Sequence, residues 1–211
     1  SVTTQKIADR AITEQKLSAA LKLKVLNDYV TPEMFGAKGD GTTDDTEAIQ
    51  NAIDSGMPVY MGKDYLIEST IHIPSNSRIT LDGQVAYTGT EAAFQFSGSN
   101  ILFTGLGGIT SNGKYAILIN EACQIVEFCL KGKIYCRTSN AISVVRIYAS
   151  GVGVTRLYFH DLYLVGGSSG SETADGISIE TASGGYINEN DFDRISIMRC
   201  VYAVKLVNNT N

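Results

Sequence analysis

The chain has 211 residues, 44% of them hydrophobic and 18% charged, with a formal net charge of −5. That length suits one substantial core with a small appendage, and the acidic balance excludes a basic nucleic-acid surface. No apolar run approaches the length of a membrane span, and the polar N-terminus SVTTQKIADR is not a secretory signal.

Residues 1–30 carry a short repeat: Val2-Thr-Thr-Gln-Lys-Ile7 is echoed ten residues later by Ile12-Thr-Glu-Gln-Lys-Leu17. Each copy is too small to bury its own apolar side chains, so the segment either associates with symmetry-related copies or stays a disordered leader. The repeat resembles units common in the trimeric stems of phage tail fibres. The resemblance implies a homotrimer, with this segment as trimerisation stem and attachment point for other virion tail or baseplate proteins.

Residues 31–56 contain FGAKGDGTTDDTEAIQNAID. A phosphate loop is excluded because Asp44 and Asp45, not Lys and Ser, follow the glycines. The spacing of Asp40, Asp44 and Asp45 does not match a calcium loop. The remaining reading is a fold start. Thr43 or Asp44 is expected as N-cap of a helix from about Thr43 to Ser55, with Asp45 and Glu47 in its first turn. Ala48, Ile49, Ala52 and Ile53 form its apolar stripe, and Gly56 and Pro58 end it. Asp40 is expected to bond backbone amides of the glycine-rich turn.

Residues 57–211 show a long period. Triplets with two apolar positions around one outward position recur at Phe94-Gln-Phe96, Ile117-Leu-Ile119, Val145-Arg-Ile147, Ile177-Ser-Ile179 and Val204-Lys-Leu206, in steps of 23, 28, 32 and 27 residues. Phe103, Phe128, Phe159 and Phe192 keep pace with them, in steps of 25, 31 and 33. A hairpin sandwich would place turns every 8–12 residues or so without a shared longer period. Two registers in step predict an all-β solenoid, a right-handed single-stranded parallel β-helix in which the four phenylalanines stack inside. Its N-terminal end must be covered, and the helix stripe is placed to do it. The Gly/Ser run from Val165 to Ser171 reads as a loop leaving the coils. The chain stops at Asn211 inside what reads as a further coil, so the β-helix is expected to be incomplete at its C-terminus.

The motif FGAKGDGTTDDTEAIQNAID closely resembles the N-terminal signature of the pectate-lyase-like β-helix superfamily, especially its bacteriophage tailspike branch. The coil pattern extends the likeness from about residue 31 to the end, and Gly185-Tyr-Ile-Asn-Glu-Asn-Asp-Phe192 resembles a tailspike strand-and-turn segment more weakly. The resemblance implies a homotrimeric virion-tail protein, made in the host cytoplasm, that binds and in many members cleaves host surface polysaccharide. The opening motif is structural in that family and carries no catalytic residue.

The family does not hand over an active site, so candidates are sought on matching outward positions of adjacent coils. Aligning the Phe159 and Phe192 coils pairs His160 with Asp193, Asp161 with Arg194, and Arg156 with Glu189. One reading is a ladder of surface ion pairs. The other makes His160 and Asp193 a proton-transfer pair. Asp175 and Glu180 flank inward Ile177 and Ile179, with Tyr148 one coil below Glu180. The candidate catalytic residues are therefore Asp175, Glu180, His160 and Asp193, with Tyr148, Glu189 and Asp161 as candidate glycan contacts. His72, in Ile71-His-Ile73, reads as a plain outward residue.

Cys123, Cys129, Cys136 and Cys200 contain no Cys-x-x-Cys pair and read as buried free thiols of a chain made in a reducing compartment. No structural metal site and no cofactor is expected. No His-Glu-x-x-His motif is present. Two functions remain: a polysaccharide-degrading tailspike, hydrolase or lyase, and a non-enzymatic structural or receptor-binding tail protein. A carboxylate cluster in a groove favours the first, and a face of neutralised ion pairs favours the second.

Overall fold

A computed structural model describes residues 28–168 and 171–209, so the repeat in residues 1–27 lies outside the described residues. Short β-branched and aromatic strands cycle regularly through three parallel sheets, and the molecule is a parallel β-helix. On the first face, strands Asp40–Asp44, Asp64–Ile67, Gln84–Tyr87, Gly108–Ser111, Lys133–Cys136, Tyr163–Val165 and Ser196–Met198 pair in that order. The second runs through Ile71–Ile73, Ala92–Phe96, Tyr115–Ile119, Ser143–Ala149, Asp175–Ala182 and Val204–Asn209. The third is Val59–Met61, Arg78–Leu81, Ile101–Gly105, Cys123–Leu130, Gly153–His160 and Tyr186–Asn188, with Asp191–Asp193 also pairing onto Gly153–His160.

The alternation of inward and outward residues fixes the register, because a slip of one residue would turn every apolar side chain to solvent. Ile71, Phe94, Ile117, Val145, Ile177 and Val204 align on the second face. On the third, Phe103, Phe128, Phe159 and Phe192 stack as expected, with ring centroids 5.2, 5.5 and 5.5 Å apart. Phe94 and Phe96 reach across from the second face to join this stack. One continuous core runs the length of the coils.

All three sheets have their first edge covered. The helix α1 spans Thr46–Asp54 and buries Ala48, Ile49, Ala52 and Ile53, the expected stripe. It starts later than expected because Asp40–Asp44 is a strand, paired with Asp64–Ile67 at the edge of the first face. Asp40 accepts the amides of Thr42 and Thr43, both at 2.8 Å, which holds those residues in a turn rather than a helix. The N-cap position is Asp45, but its buried carboxylate reaches back to the amides of Lys38 and Gly39, at 2.7 and 3.0 Å. Asp44 bonds the Thr46 amide instead. On the second face, the Gln50 side-chain amide imitates a missing strand: it donates to the His72 carbonyl at 3.0 Å and accepts the His72 amide at 2.9 Å. On the third, Val30 forms a parallel bridge with Val59. At the opposite end Leu206 is 74% exposed, and Ile177, Ile179, Phe192, Ile195, Ile197 and Val204 line an apolar hollow.

The Gly/Ser run differs from the expected plain loop: Gly167–Ser168 and Ser171–Glu172 form a two-stranded antiparallel hairpin between the first and second faces. Among the described residues no helix is long and apolar enough to cross a membrane. The four cysteines are free, but only Cys123 and Cys136 are buried, while Cys129 and Cys200 are partly exposed. Burial pushes the Cys123 thiol up to about 11 and that of Cys136 to about 12.

Candidate functional site

Because the third face turns alternate residues outward, each core phenylalanine is flanked by two surface positions. The residues before Phe103, Phe128, Phe159 and Phe192 are Leu102, Glu127, Tyr158 and Asp191, and they align in one column. The residues after them are Thr104, Cys129, His160 and Asp193, which form a second column beside it. The last three coils of this grid enclose a groove of roughly 360 Å³ lined by Glu127, Tyr158, His160, Asp191, Asp193 and Arg194. Tyr158 is 43% exposed and lies between the two carboxylates of its column, Glu127 below and Asp191 above.

His160 opposes Asp193 in register, as its alignment implied. Each side chain, however, makes its polar contacts elsewhere. His160 Nδ1 lies 3.1 Å from Asp161 Oδ2, and its Nε2 lies 3.4 Å from Glu127 Oε1. Asp193 is bonded by Arg194, whose guanidinium also grips Asp161 through Nε at 2.7 Å and Nη2 at 3.1 Å. Hydrogen bonds from Arg194, then from His160, hold the Asp161 carboxyl well below the usual carboxylate range. The expected Asp161–Arg194 and Arg156–Glu189 pairs both form, the second at 2.9 Å. Glu189 therefore holds a corner of the β-helix and does not line the groove.

Asp175, Glu180 and Tyr148 belong to the second face, away from this groove. Tyr148 opposes Glu180 as expected, but its ring covers Arg146, the guanidinium carbon lying 4.7 Å from the ring centroid. Arg146 bonds Glu180 at 2.8 Å and the Tyr115 hydroxyl at 2.6 Å. Burial pushes the Glu180 carboxyl up, but hydrogen bonds from Arg146 and Ser178 outweigh it and leave Glu180 below its ordinary value. Asp175 is buried and paired with Lys205 at 3.3 Å. Five residues of one strand, roughly 16 Å, separate Asp175 from Glu180, too far for both to act on one bond. The four residues expected to be catalytic thus divide between two faces, and those of the second face are both ion-paired.

Glu127, Tyr158 and Asp191 escaped the sequence reading. The phenylalanine ladder held the signal, since the residue preceding each rung must face outward in a shared column. Chemically the groove offers an aromatic plate between two carboxylates, with an imidazole and a guanidinium at its side. Glu127 and Asp191 stand two coils apart, so their backbones are separated by roughly 9.6 Å. That backbone separation lies near the upper end of the window of about 6.5–9.5 Å that accommodates a water between an acid and a base.

The chain is 28% identical over 192 residues to a capsule KN3-specific depolymerase of Klebsiella phage KN3-1, covering 82% of this chain and 21% of that protein. It is 37% identical over 76 residues to the preneck appendage protein of Bacillus phage PZA, covering 34% of this chain and 9% of that protein. The chain therefore spans about a fifth or less of the length of these curated relatives. Among solved structures, bacteriophage phi29 gene product 12 in its pre-mature form matches 85% of this chain and 34% of its own length, with 15% identity and a TM-score of 0.45. The model of the family described as rhamnogalacturonase A/epimerase, pectate lyase-like, matches residues 33–199, and the chain belongs to that family.

Proposed function

We propose that this chain is part of a phage tailspike that binds and degrades host surface polysaccharide, with the third-face groove as its glycan site. The observation that carries this reading is the placement of exposed Tyr158 between Glu127 and Asp191 in one column. A sugar ring can stack on the tyrosine while the carboxylates reach its two sides. In a hydrolytic reaction one carboxyl protonates the leaving oxygen and the other activates water from the opposite face. Arg194 and His160 supply donors for an acidic glycan, and the depolymerase relative supports a capsular substrate. The working unit is a homotrimer held in the virion tail through residues 1–30.

The test is incubation of the full chain with a panel of capsular and O-antigen polysaccharides that includes the host's own, following new reducing ends and the ultraviolet absorbance of unsaturated uronates. Reducing ends without that absorbance identify hydrolysis. Glu127→Gln and Asp191→Asn are then each expected to lower the rate by about 10²-fold or more. Reducing ends with the absorbance identify β-elimination, with His160 and Tyr158 as the groups to mutate.

A second reading, a non-enzymatic receptor-binding or structural appendage, is favoured by the ion pairs that neutralise Asp161, Asp193 and Glu189. It takes over if no glycan in the panel is cut and glycan binding survives Glu127→Gln.

A further inference from the structure

At the edge of the groove, Cys129, His160 and Asp161 bring a thiol sulfur, an imidazole nitrogen and a carboxylate oxygen within 4.8 Å of one another. We propose that these three residues form a site for a thiophilic divalent cation of the zinc type. This inference does not depend on the glycan reading, and it is tested without any glycan present.

The distances lie within a few tenths of an ångström of those such an ion needs. A tetrahedral set with a metal–sulfur bond of about 2.3 Å and metal–nitrogen and metal–oxygen bonds of about 2.0–2.2 Å requires ligand atoms about 3.2–3.7 Å apart. Here Nδ1 and Oδ2 are 3.1 Å apart, and the Cys129 sulfur lies 3.9 Å from the same oxygen. Small rotations close the set, and water fills the fourth position. The three donors come from two adjacent coils, with His160 31 positions after Cys129, a spacing that no short cysteine–histidine motif describes.

The surroundings of the histidine point the same way. Each ring nitrogen faces a carboxylate oxygen, Nδ1 toward Asp161 and Nε2 toward Glu127. Neutral imidazole carries one N–H and satisfies only one of them. In the neutral ring, if Nε2–H points to Glu127, the Nδ1 lone pair is left against the Asp161 carboxylate, and a proton or a metal cation between the two removes the conflict. A carboxylate on the far nitrogen is also the usual means of fixing the tautomer of a metal-binding histidine. Arg194 takes Asp161 Oδ1 through Nε and shares Oδ2 through Nη2, leaving Oδ2 a lone pair for the ion. On binding, the Cys129 thiol loses its proton to solvent as the metal–sulfur bond forms. Burial, then the Asp161 charge, raises that thiol in the metal-free protein, and the cation opposes both.

The experiment is titration of the reduced, metal-free full chain with Co²⁺, followed by displacement with Zn²⁺. A single equivalent is expected to give a thiolate-to-cobalt charge-transfer band and visible bands of tetrahedral intensity, both bleached by Zn²⁺. Cys129→Ser should abolish the charge-transfer band, while Cys200→Ser should keep it. Glu127→Gln should weaken binding by about tenfold or more through loss of the orienting carboxylate. A readout that needs no variant is alkylation mapped by peptide mass spectrometry, in which Zn²⁺ should slow modification of Cys129 by about tenfold or more and leave Cys200 unchanged. A charge-transfer band that survives Cys129→Ser, no band at saturating Co²⁺, or a Cys129 alkylation rate indifferent to Zn²⁺ would each overturn the site.

Discussion

The earlier and later coils share one core but turn the corner from the third face to the first in different ways. In three successive earlier coils the residue before the first-face strand is glycine: Gly83, Gly107 and Gly132. A Cβ at these positions would lie 1.7, 2.0 and 1.9 Å from the carbonyl oxygen of Lys63, Gly83 and Gly107 in the coil below. The turns stack backbone on backbone, and no side chain fits between them. In the later coils the same position holds Leu162 and then Ile195, preceded by Asp161 and Arg194 in the left-handed region at φ 57° and 49°. That conformation opens the turn, lets Leu162 enter the core and swings Asp161 and Arg194 beside the groove. The candidate site thus arises where the glycine rule lapses.

If both halves depend on one core, the largest loss should come from the rung that joins them. Phe128 is fully buried and packs against both Phe103 and Phe159. Phe128→Ala should cost about 3–5 kcal/mol in urea unfolding, in a single transition. Two separate transitions would show the halves to be independent. Gly132→Ala comes next, at about 3 kcal/mol, because its methyl meets backbone that cannot rotate away. The matched change Leu162→Val, in the open turn, should cost no more than about 1.5 kcal/mol. Equal costs would mean that the turns do not differ as described.

On the second face, Arg146→Met should cost about 2 kcal/mol, less than for a fully buried pair because Arg146 and Glu180 both keep some exposure. Glu180 sits below its ordinary value in the folded state. Its contribution is therefore complete above the unfolded carboxylate value, about 4.3, and is lost as pH falls through the lower folded one. The wild-type protein should lose stability across that acid range, and Glu180→Gln should flatten this part of the profile. An unchanged profile would assign the acid sensitivity to other carboxylates.

The frame was legible because stacking imposes a repeat on the inward residues. Phe103, Phe128, Phe159 and Phe192 betrayed the coil period, and the Ile49/Ala52/Ile53 stripe betrayed the cover over the first coil. The outward residues obey no such repeat. Alignment of the rungs placed His160 opposite Asp193 correctly, but it could not show that His160 turns sideways to Asp161 and Glu127 while Asp193 goes to Arg194. Those choices follow from left-handed φ values at Asp161 and Arg194, a backbone state that sequence seldom announces outside glycine and asparagine. The helix start was misplaced for a related reason, since Asp40 claimed the amides of Thr42 and Thr43 before a helix could use them.

A second corner, from the second face to the third, gives the finest test of the contrast between earlier and later coils. Each coil there carries a left-handed residue other than glycine in a stacked row: Asn76, Asn100, Ile125, Arg156 and Glu189, with φ of 66°, 58°, 59°, 57° and 55°. The first two are asparagines, which tolerate this region, and the Asn100 side chain donates to that of Asn76 at 3.3 Å. Ile125 is β-branched, strained by the same φ and 44% exposed, so it gains little from burial in return. Continuing the asparagine row with Ile125→Asn should raise stability by about 1 kcal/mol, seen as a higher urea midpoint with an unchanged slope. Arg156→Asn should give no net gain, because relief of the backbone is offset by loss of the ion pair with Glu189. If Ile125→Asn destabilises instead, the apolar contacts of Ile125 outweigh its backbone strain, and the row tolerates a β-branched residue because the coils on either side hold it there.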